Sequence, residues 1–219
     1  HGITSTIFPN ILGEFNCEVV SLSAHLDKHR ITREEDEFKK ALNNFCFVVK
    51  SLKFDIGFMI DAGGEKTWMA THDGRLIDDY RFLVVMLKLF LTANPNAKKI
   101  AVPVQASREV DIVAGQYGVE VIRVKDSHYN MMMACNDKEV KFVGGTRRGV
   151  FFPDFLYATD GMFSIAKTLE MISKTGLSIE QIDSGIPRLH MVKLNLPCPR
   201  EDKGTAMRKF MEDTINYKQ

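Results

Sequence analysis

The spacing of apolar residues predicts alternating helices and strands along most of the chain. Apolar positions recur at helical spacing, with polar residues on the opposite side, in residues 4–15, 32–49, 78–92, 107–118, 162–174 and 202–214. Short apolar runs between these segments predict strands at residues 17–22, 54–60, 99–104, 119–124, 139–145 and 150–152. This alternation indicates an α/β fold built mainly from parallel sheets with helices on both faces.

A repeated sequence pattern indicates that the α/β arrangement occurs twice. The run at residues 116–121 repeats the pattern at residues 14–19, in which a helix end and a tight turn lead into a strand. We therefore expect two tandem αβα units, residues 1–93 and 94–188, divided near Asn94-Pro95. Residues 189–219 are expected to form a linker, with a strand at 190–196 and a proline-rich joint at 197–199, that leads into a further region.

The most apolar strand, at residues 54–60, runs into a glycine turn that is flanked by Asp61 and Glu65. A strand that is apolar on nearly every residue is typical of the centre of an α/β sheet, and such folds bind ligands beyond the carboxyl ends of their strands. Two carboxylates across the tight turn could converge on a hard cation such as Mg²⁺. The spacing alone favours a simpler interpretation, a β-hairpin whose return strand is residues 67–70.

A second glycine turn, residues 144–149, contains Arg147 and Arg148. Guanidinium groups match phosphate oxygens and glycine allows a close backbone approach, so the turn suits an anion such as a sugar phosphate. A solvated hairpin tip fits the same pattern. In a polar loop near the start, His25 and His29 lie four residues apart, which on a helix would offer a pair of metal ligands, but no third ligand is nearby.

Composition narrows the classes of function. The 219 residues carry 29 Lys and Arg against 28 Asp and Glu, and this balance disfavours binding to nucleic acid or to an anionic membrane surface. No charge-free stretch has the length of a membrane span. The four cysteines, Cys17, Cys46, Cys135 and Cys198, form no CxxC pair, which favours a reducing cytoplasm over a disulfide framework. The missing initiator Met predicts a piece of a longer protein.

The order of several short motifs resembles the middle of the phosphohexomutases, the phosphomannomutase and phosphoglucomutase family. The motifs are Asp61-Ala62-Gly63-Gly64-Glu65-Lys66, Asp73-Gly74-Arg75-Leu76-Ile77, Gly118-Val119-Glu120-Val121-Ile122-Arg123, Gly144-Gly145-Thr146-Arg147-Arg148-Gly149, Phe152-Pro153-Asp154 and Asp160-Gly161. The resemblance covers nearly the whole chain and implies domains 2 and 3 of a four-domain protein, with the first turns of domain 4. Residues 197–208 are more loosely similar to a subgroup fused behind a mannose-1-phosphate guanylyltransferase.

The resemblance also implies site residues. It implies Mg²⁺ ligands at Asp61 and Glu65, and a hexose-phosphate site lined by Lys125, His128, Thr146, Arg147 and Arg148. In the family three carboxylates hold the metal, whereas Gly63 stands at the middle position here. The family's sugar loop carries Glu and Ser at the positions of Thr146 and Arg148. Because Mg²⁺ demands near-octahedral oxygen ligation, we expect a degenerate metal loop that does not hold it.

Two functions follow as expectations. The first is a non-catalytic module that binds a sugar phosphate or acts as a scaffold, attached to a sugar-1-phosphate nucleotidyltransferase. The second is the central part of an active mutase that interconverts hexose 1- and 6-phosphates. In both, the expected partners are a hexose phosphate and the missing domains of the parent chain, and homo-oligomer formation stays open.

Overall fold

The computed structural model describes residues 1–29, 34–190 and 196–215. Contacts divide the chain into two compact units, residues 1–188 and 189–219. The helices of the first unit are α1 Thr4–Glu14, α2 Glu35–Ser51, α3 Asp79–Ala93, α4 Glu109–Gln116, α5 His128–Ala134, α6 Gly161–Thr175 and α7 Ile179–Ser184. Its strands are β1 Ile56–Ile60, β2 Thr67–Thr71, β3 Lys99–Pro103, β4 Glu120–Val124, β5 Val140–Gly144 and β6 Val150–Phe151. The α/β prediction is confirmed, and the division near Asn94 stays a prediction.

The larger sheet has the strand order β4-β3-β5-β6. Strand β3 runs parallel to both β4 and β5, and the short β6 pairs antiparallel with β5. The register places Pro103 beside Val124, so β3 and β4 end at the same edge of the sheet. A mainly parallel sheet was predicted for this part of the chain, and the structure shows one.

Helix α3 is the centre of the core. Ten of its residues are buried, as expected for a helix that is apolar around most of its circumference. It contacts α4, α6 and α7 as well as strand β5. Asp78 caps its first turn by accepting a hydrogen bond from the Arg81 backbone N–H at 2.8 Å. The helix thereby fixes the sheet relative to the surrounding helices.

The smaller sheet is a hairpin of β1 and β2, which pair antiparallel with Ile60 opposite Thr67. The structure confirms the hairpin interpretation that the spacing favoured, while the alternative, in which residues 54–60 form the centre of an α/β sheet, is wrong for the described residues, where β1 pairs with β2 alone. The physical reason is the turn between them. Gly64 adopts a positive φ of 77° and donates its N–H to the Asp61 carbonyl at 3.1 Å, so the chain reverses at once.

Local details also differ from the pattern. Residues 17–22 were predicted as a strand, but the structure has none there and their side chains are largely exposed. Pro9 lies near the middle of α1. Helix α7, which was not predicted, starts at a capping box in which Ser178 and Gln181 satisfy each other's backbone N–H groups. Thr32, a predicted helix start, lies outside the described residues.

In the second unit the described residues form helix α8, Lys203–Ile215, close to the predicted range. The strand predicted at residues 190–196 falls largely outside the described part of the chain. Among the described residues no helix is long and apolar enough to cross a bilayer.

Candidate functional site

Polar side chains from three loops meet where β3, β4 and β5 end. Gln105 follows β3, and its amide nitrogen donates to the carboxylate of Asp126, which follows β4. The same nitrogen lies 3.4 Å from Oγ1 of Thr146, which follows β5. The guanidinium of Arg147 lies 4.0 Å from Asp126 Oδ2. We call Gln105, Asp126, Thr146 and Arg147 the strand-end cluster; it lies at the edge where parallel sheets bind ligands.

Two further predicted site residues follow β4 beside this cluster. Lys125 and His128 are both exposed. The His128 ring lies against Phe151, with 5.9 Å between ring centroids. The cap of α5 fixes the position of His128, because Ser127 Oγ accepts from the Asn130 backbone N–H at 3.2 Å. Four of the five predicted binding residues, Lys125, His128, Thr146 and Arg147, therefore follow strands that end at the same edge of the sheet, and their side chains are accessible.

Arg148, the fifth, is only 5% exposed. Its Nε donates to the Asp79 carboxylate and its Nη2 donates to the Ile77 carbonyl at 3.0 Å. The guanidinium carbon lies 5.5 Å from the Trp68 ring centre and 5.8 Å from that of Phe82, within cation–π range. Burial lowers the pKa of Arg148, while the negative charge of Asp79 opposes that shift.

The two neighbouring arginines therefore differ in what they can reach. Arg148 has a φ of 63°, and its side chain hydrogen-bonds to Asp79 and to the Ile77 carbonyl inside the first unit. The Arg147 side chain is 84% exposed. A ligand at the strand ends would meet the guanidinium of Arg147, while Arg148 anchors the turn from behind.

The predicted metal loop is held together by its own carboxylate. Asp61 Oδ1 accepts from the backbone N–H groups of Glu65 at 2.8 Å and Lys66 at 3.0 Å. Glu65 is itself exposed. Among the described residues, the groups of three or more side chains close enough to share a metal include neither Asp61 nor Glu65. The carboxylate of Asp61 therefore acts as a turn-forming acceptor in this structure.

The metal loop and the arginine turn are neighbours. The Thr67 backbone N–H, just after the metal loop, points to the Arg148 carbonyl at 3.4 Å. On its other side the Gly64 carbonyl accepts from the Gly161 N–H at 2.7 Å, at the start of α6. A side chain at residue 161 would place Cβ 2.9 Å from that carbonyl oxygen, so glycine is required for this contact.

Two groups of possible metal ligands occur elsewhere in the described residues. One is His72, Asp73 and Glu180, and the other is His1, His25 and Asp27. The His25–His29 pair considered from the sequence is not assembled. The His25 ring lies 4.5 Å from the His1 ring, whereas the His29 backbone N–H donates to Asp27 Oδ1 at 3.0 Å.

A buried ionic network near the core was not predicted. Arg81 is 7% exposed; its Nε donates to Asp183 at 2.5 Å and its Nη1 donates to Glu109 at 3.1 Å. It also donates to the carbonyls of Asp183, Ile186 and Pro187. The sequence carried no signal for this network, because Arg81 and Asp183 are 102 residues apart. Gln105 and Asp126 were also missed, although their positions after two predicted strands could have identified them.

Comparison with known proteins identifies the family of this chain. The family model described as phosphoglucomutase/phosphomannomutase, alpha/beta/alpha domain III, matches residues 78–188, about half of the chain. The chain belongs to the phosphoglucomutase/phosphomannomutase family. The matched residues contain the larger sheet and every member of the strand-end cluster.

Individual members of this family match most of the chain. A probable phosphoglucosamine mutase of Methanopyrus kandleri is 28% identical over 209 residues, which are 95% of this chain and 46% of that protein. A phosphoglucomutase/phosphomannomutase of Thermococcus kodakarensis is 26% identical over 193 residues, covering 88% of this chain and 42% of its own length. The chain thus spans about half the length of the curated relatives it matches.

A solved phosphoglucomutase/phosphomannomutase family protein from Burkholderia thailandensis has the same fold. It superposes with a TM-score of 0.72 over 85% of this chain and 41% of its own, at 23% sequence identity. A putative phosphomannomutase from Thermus thermophilus superposes with a TM-score of 0.70 at 14% identity, over 84% of this chain and 42% of its own.

Proposed function

We propose that the strand-end cluster binds a hexose phosphate, and that the chain is the central part of a phosphohexomutase-family protein. The observation that carries the proposal is the contact of Gln105, Asp126, Thr146 and Arg147 across three loops at one sheet edge. All four residues lie in the part of the chain that matches the family's domain III. The names of the relatives, which are mutases of phosphorylated hexoses or hexosamines, support the same substrate class.

The side chains of the cluster can bind both the sugar hydroxyls and the phosphate group of such a ligand. The Asp126 carboxylate, the Gln105 amide and the Thr146 hydroxyl are acceptors and donors of the kind that sugar hydroxyls need. Arg147 and Lys125 supply positive charge, and a guanidinium can pair with two phosphate oxygens at once. The hydrogen bonds from Gln105 to both neighbours hold these side chains in place before a ligand arrives, which reduces the entropy cost of binding.

The metal loop does not fit a tight Mg²⁺ site. Gly63 contributes no side-chain oxygen, and Asp61 Oδ1 already accepts two backbone hydrogen bonds. One exposed carboxylate at Glu65 and the second oxygen of Asp61 remain. Mg²⁺ keeps near-octahedral geometry and gives up its waters reluctantly, so this pair is a weak platform for it. We therefore propose that the strand-end cluster binds a sugar phosphate and that this chain does not catalyse phosphoryl transfer by itself.

A second candidate is an active mutase that interconverts hexose 1- and 6-phosphates. The mutase names of the matched relatives favour it, and the half of their length that this chain does not span would supply the remaining groups. The proposed attachment to a sugar-1-phosphate nucleotidyltransferase rests on the resemblance of residues 197–208 alone.

Calorimetric titration of the 219-residue chain with glucose 1-phosphate, mannose 1-phosphate and glucosamine 6-phosphate tests the binding proposal. We expect measurable affinity for one or more of them. Arg147→Ala should weaken it by roughly tenfold to a hundredfold, because a hydrogen bond between charged groups contributes about 1.5–3 kcal/mol. The matched control is Lys98→Ala, because this 76% exposed cation lies just before β3, at the opposite end of the same strands.

Three outcomes would count against the proposal. If none of the three compounds binds, the proposal is wrong. If Arg147→Ala and Lys98→Ala weaken the affinity equally, the effect of Arg147 is only that of its positive charge and not of a contact with the ligand. Transfer of phosphate between the 1- and 6-positions by this chain, followed by ³¹P NMR, would replace the non-catalytic function with the mutase.

A further inference from the structure

We propose that His72, Asp73 and Glu180 form a binding site for a divalent cation of the Zn²⁺ or Co²⁺ class. The three side chains each offer one ligand atom, and these atoms lie within 4.8 Å of one another. One imidazole nitrogen with two carboxylate oxygens is a donor set that such borderline ions accept, whereas Mg²⁺ prefers oxygen ligands alone. The site is separate from the strand-end cluster and does not depend on the proposed function.

The donors belong to two elements that other contacts hold in place. His72 and Asp73 occupy the tight turn after β2, where the Gly74 N–H donates to the Thr71 carbonyl at 2.8 Å. Glu180 lies in the first turn of α7, which its capping box fixes. The two elements are 108 residues apart in the sequence. Because both backbones are fixed, a metal would find its ligands held close to one another.

The existing contacts show where the ion would bind. His72 Nδ1 lies 2.7 Å from Glu180 Oε1, and the His72 backbone N–H donates to the same oxygen at 2.8 Å. Bonds of about 2.0–2.2 Å to a tetrahedral ion separate neighbouring ligands by about 3.4 Å, so this pair needs to open by less than about 1 Å. The His72 side chain is 64% exposed and free to make that adjustment. The ion replaces the proton between the two atoms, and that proton leaves to solvent.

The third ligand and the space for water are also present. Asp73 Oδ1 accepts from Thr71 Oγ1 at 2.5 Å, which holds this carboxylate in the turn, and one of its oxygens belongs to the ligand group. A cavity of about 460 Å³ adjoins the site and is lined by Asp55 as well as by His72 and Glu180. It leaves room for water to complete the coordination, and Asp55 adds a further negative charge, partly offset by Lys53 on the same wall.

The other ligand group, His1, His25 and Asp27, provides the internal comparison. Its His25 and Asp27 lie in a segment, residues 17–29, without a helix or strand, so their positions are less well fixed than those of His72 and Glu180. An ion that binds there instead would show a different dependence on substitutions.

Titration of the 219-residue chain with Zn²⁺ by calorimetry, and with Co²⁺ by visible absorption, tests the proposal. We expect one ion per chain with micromolar affinity, a Co²⁺ spectrum of low coordination number, and no competition from millimolar Mg²⁺. His72→Ala and Glu180→Gln should each reduce the affinity at least tenfold. His29→Ala is the matched control, since His29 is an exposed histidine outside both groups, and it should leave the affinity unchanged.

A second measurement keeps the test independent of folding defects in any one variant. Zn²⁺ should raise the Tm of the unmodified chain, because it binds the folded state across two elements, and should not raise that of Glu180→Gln. The proposal is overturned if no Zn²⁺ binds, if Glu180→Gln binds as tightly as the unmodified chain, or if His25→Ala abolishes binding that His72→Ala retains.

Discussion

Replacing Arg148 by Ala should destabilise the fold far more than the same change at Arg147, its sequence neighbour. Arg148 is 5% exposed and contacts Asp79, the Ile77 carbonyl and two aromatic rings. The Arg147 side chain is 84% exposed and lies 4.0 Å from its nearest charged partner. The pair has identical chemistry in different surroundings, so the difference between the two variants isolates the effect of burial.

The magnitude follows from the contacts that are lost. A charge-assisted hydrogen bond to the Ile77 carbonyl is worth about 1.5–3 kcal/mol. The pair with Asp79, whose side chain is 64% exposed, adds about 0–1 kcal/mol after screening. The contacts with Trp68 and Phe82 add about 0.5–2 kcal/mol each. Allowing for non-additivity, we expect Arg148→Ala to cost about 4 kcal/mol, against at most about 0.5 kcal/mol for Arg147→Ala.

Urea unfolding followed by circular dichroism measures both values. Arg148→Gly provides a second diagnostic: at a φ of 63° glycine avoids a backbone strain of about 1–2 kcal/mol, so it should be more stable than Arg148→Ala by about that amount. Equal stability of Arg148→Ala and Arg147→Ala would refute the anchoring role of Arg148. Arg148→Ala more stable than Arg148→Gly would refute the strained backbone.

Three other predictions concern different parts of the first unit. Arg81→Met should cost about 3–5 kcal/mol in urea unfolding, because it removes the buried cation that hydrogen-bonds to both Asp183 and Glu109, while Arg75→Met, at a 41% exposed side chain that also pairs with Asp183, should cost much less. The hydrogen bond and charge of Glu180 raise the pKa of His72 above 6.5, so the stability this pair adds is complete below that pH and is lost as the pH rises through the raised pKa. With chelator present, His72→Ala should therefore lose more stability at pH 6 than at pH 9, and an equal loss would contradict the pairing. Calorimetry with Mg²⁺ should show no micromolar binding; micromolar binding abolished by Asp61→Asn would restore the metal loop.

The sequence by itself determined the features that depend on neighbouring residues. Helical spacing located α3 and α6 to within a residue or two, and the structure shows Asp78 and Asp160 capping their first turns, where each satisfies a backbone group of the adjacent turn. Alternation of helix and strand gave the larger parallel sheet. That sheet in turn brought Thr146 and Lys125 to the same edge, on either side of β3, since parallel strands end at a common edge.

The tertiary structure alone decided which residues of the candidate site are accessible and which are buried. Arg147 and Arg148 are adjacent residues of the same type in one turn, yet only Arg148 is buried. The reason is that it packs against Asp79, Trp68 and Phe82, which lie 66 to 80 residues earlier in the chain. The assembly of His72 with Glu180 likewise depends on packing between a hairpin turn and a short helix. Burial and ionic pairing at such distances are set by the free energy of packing the whole unit, which no local pattern of residues encodes.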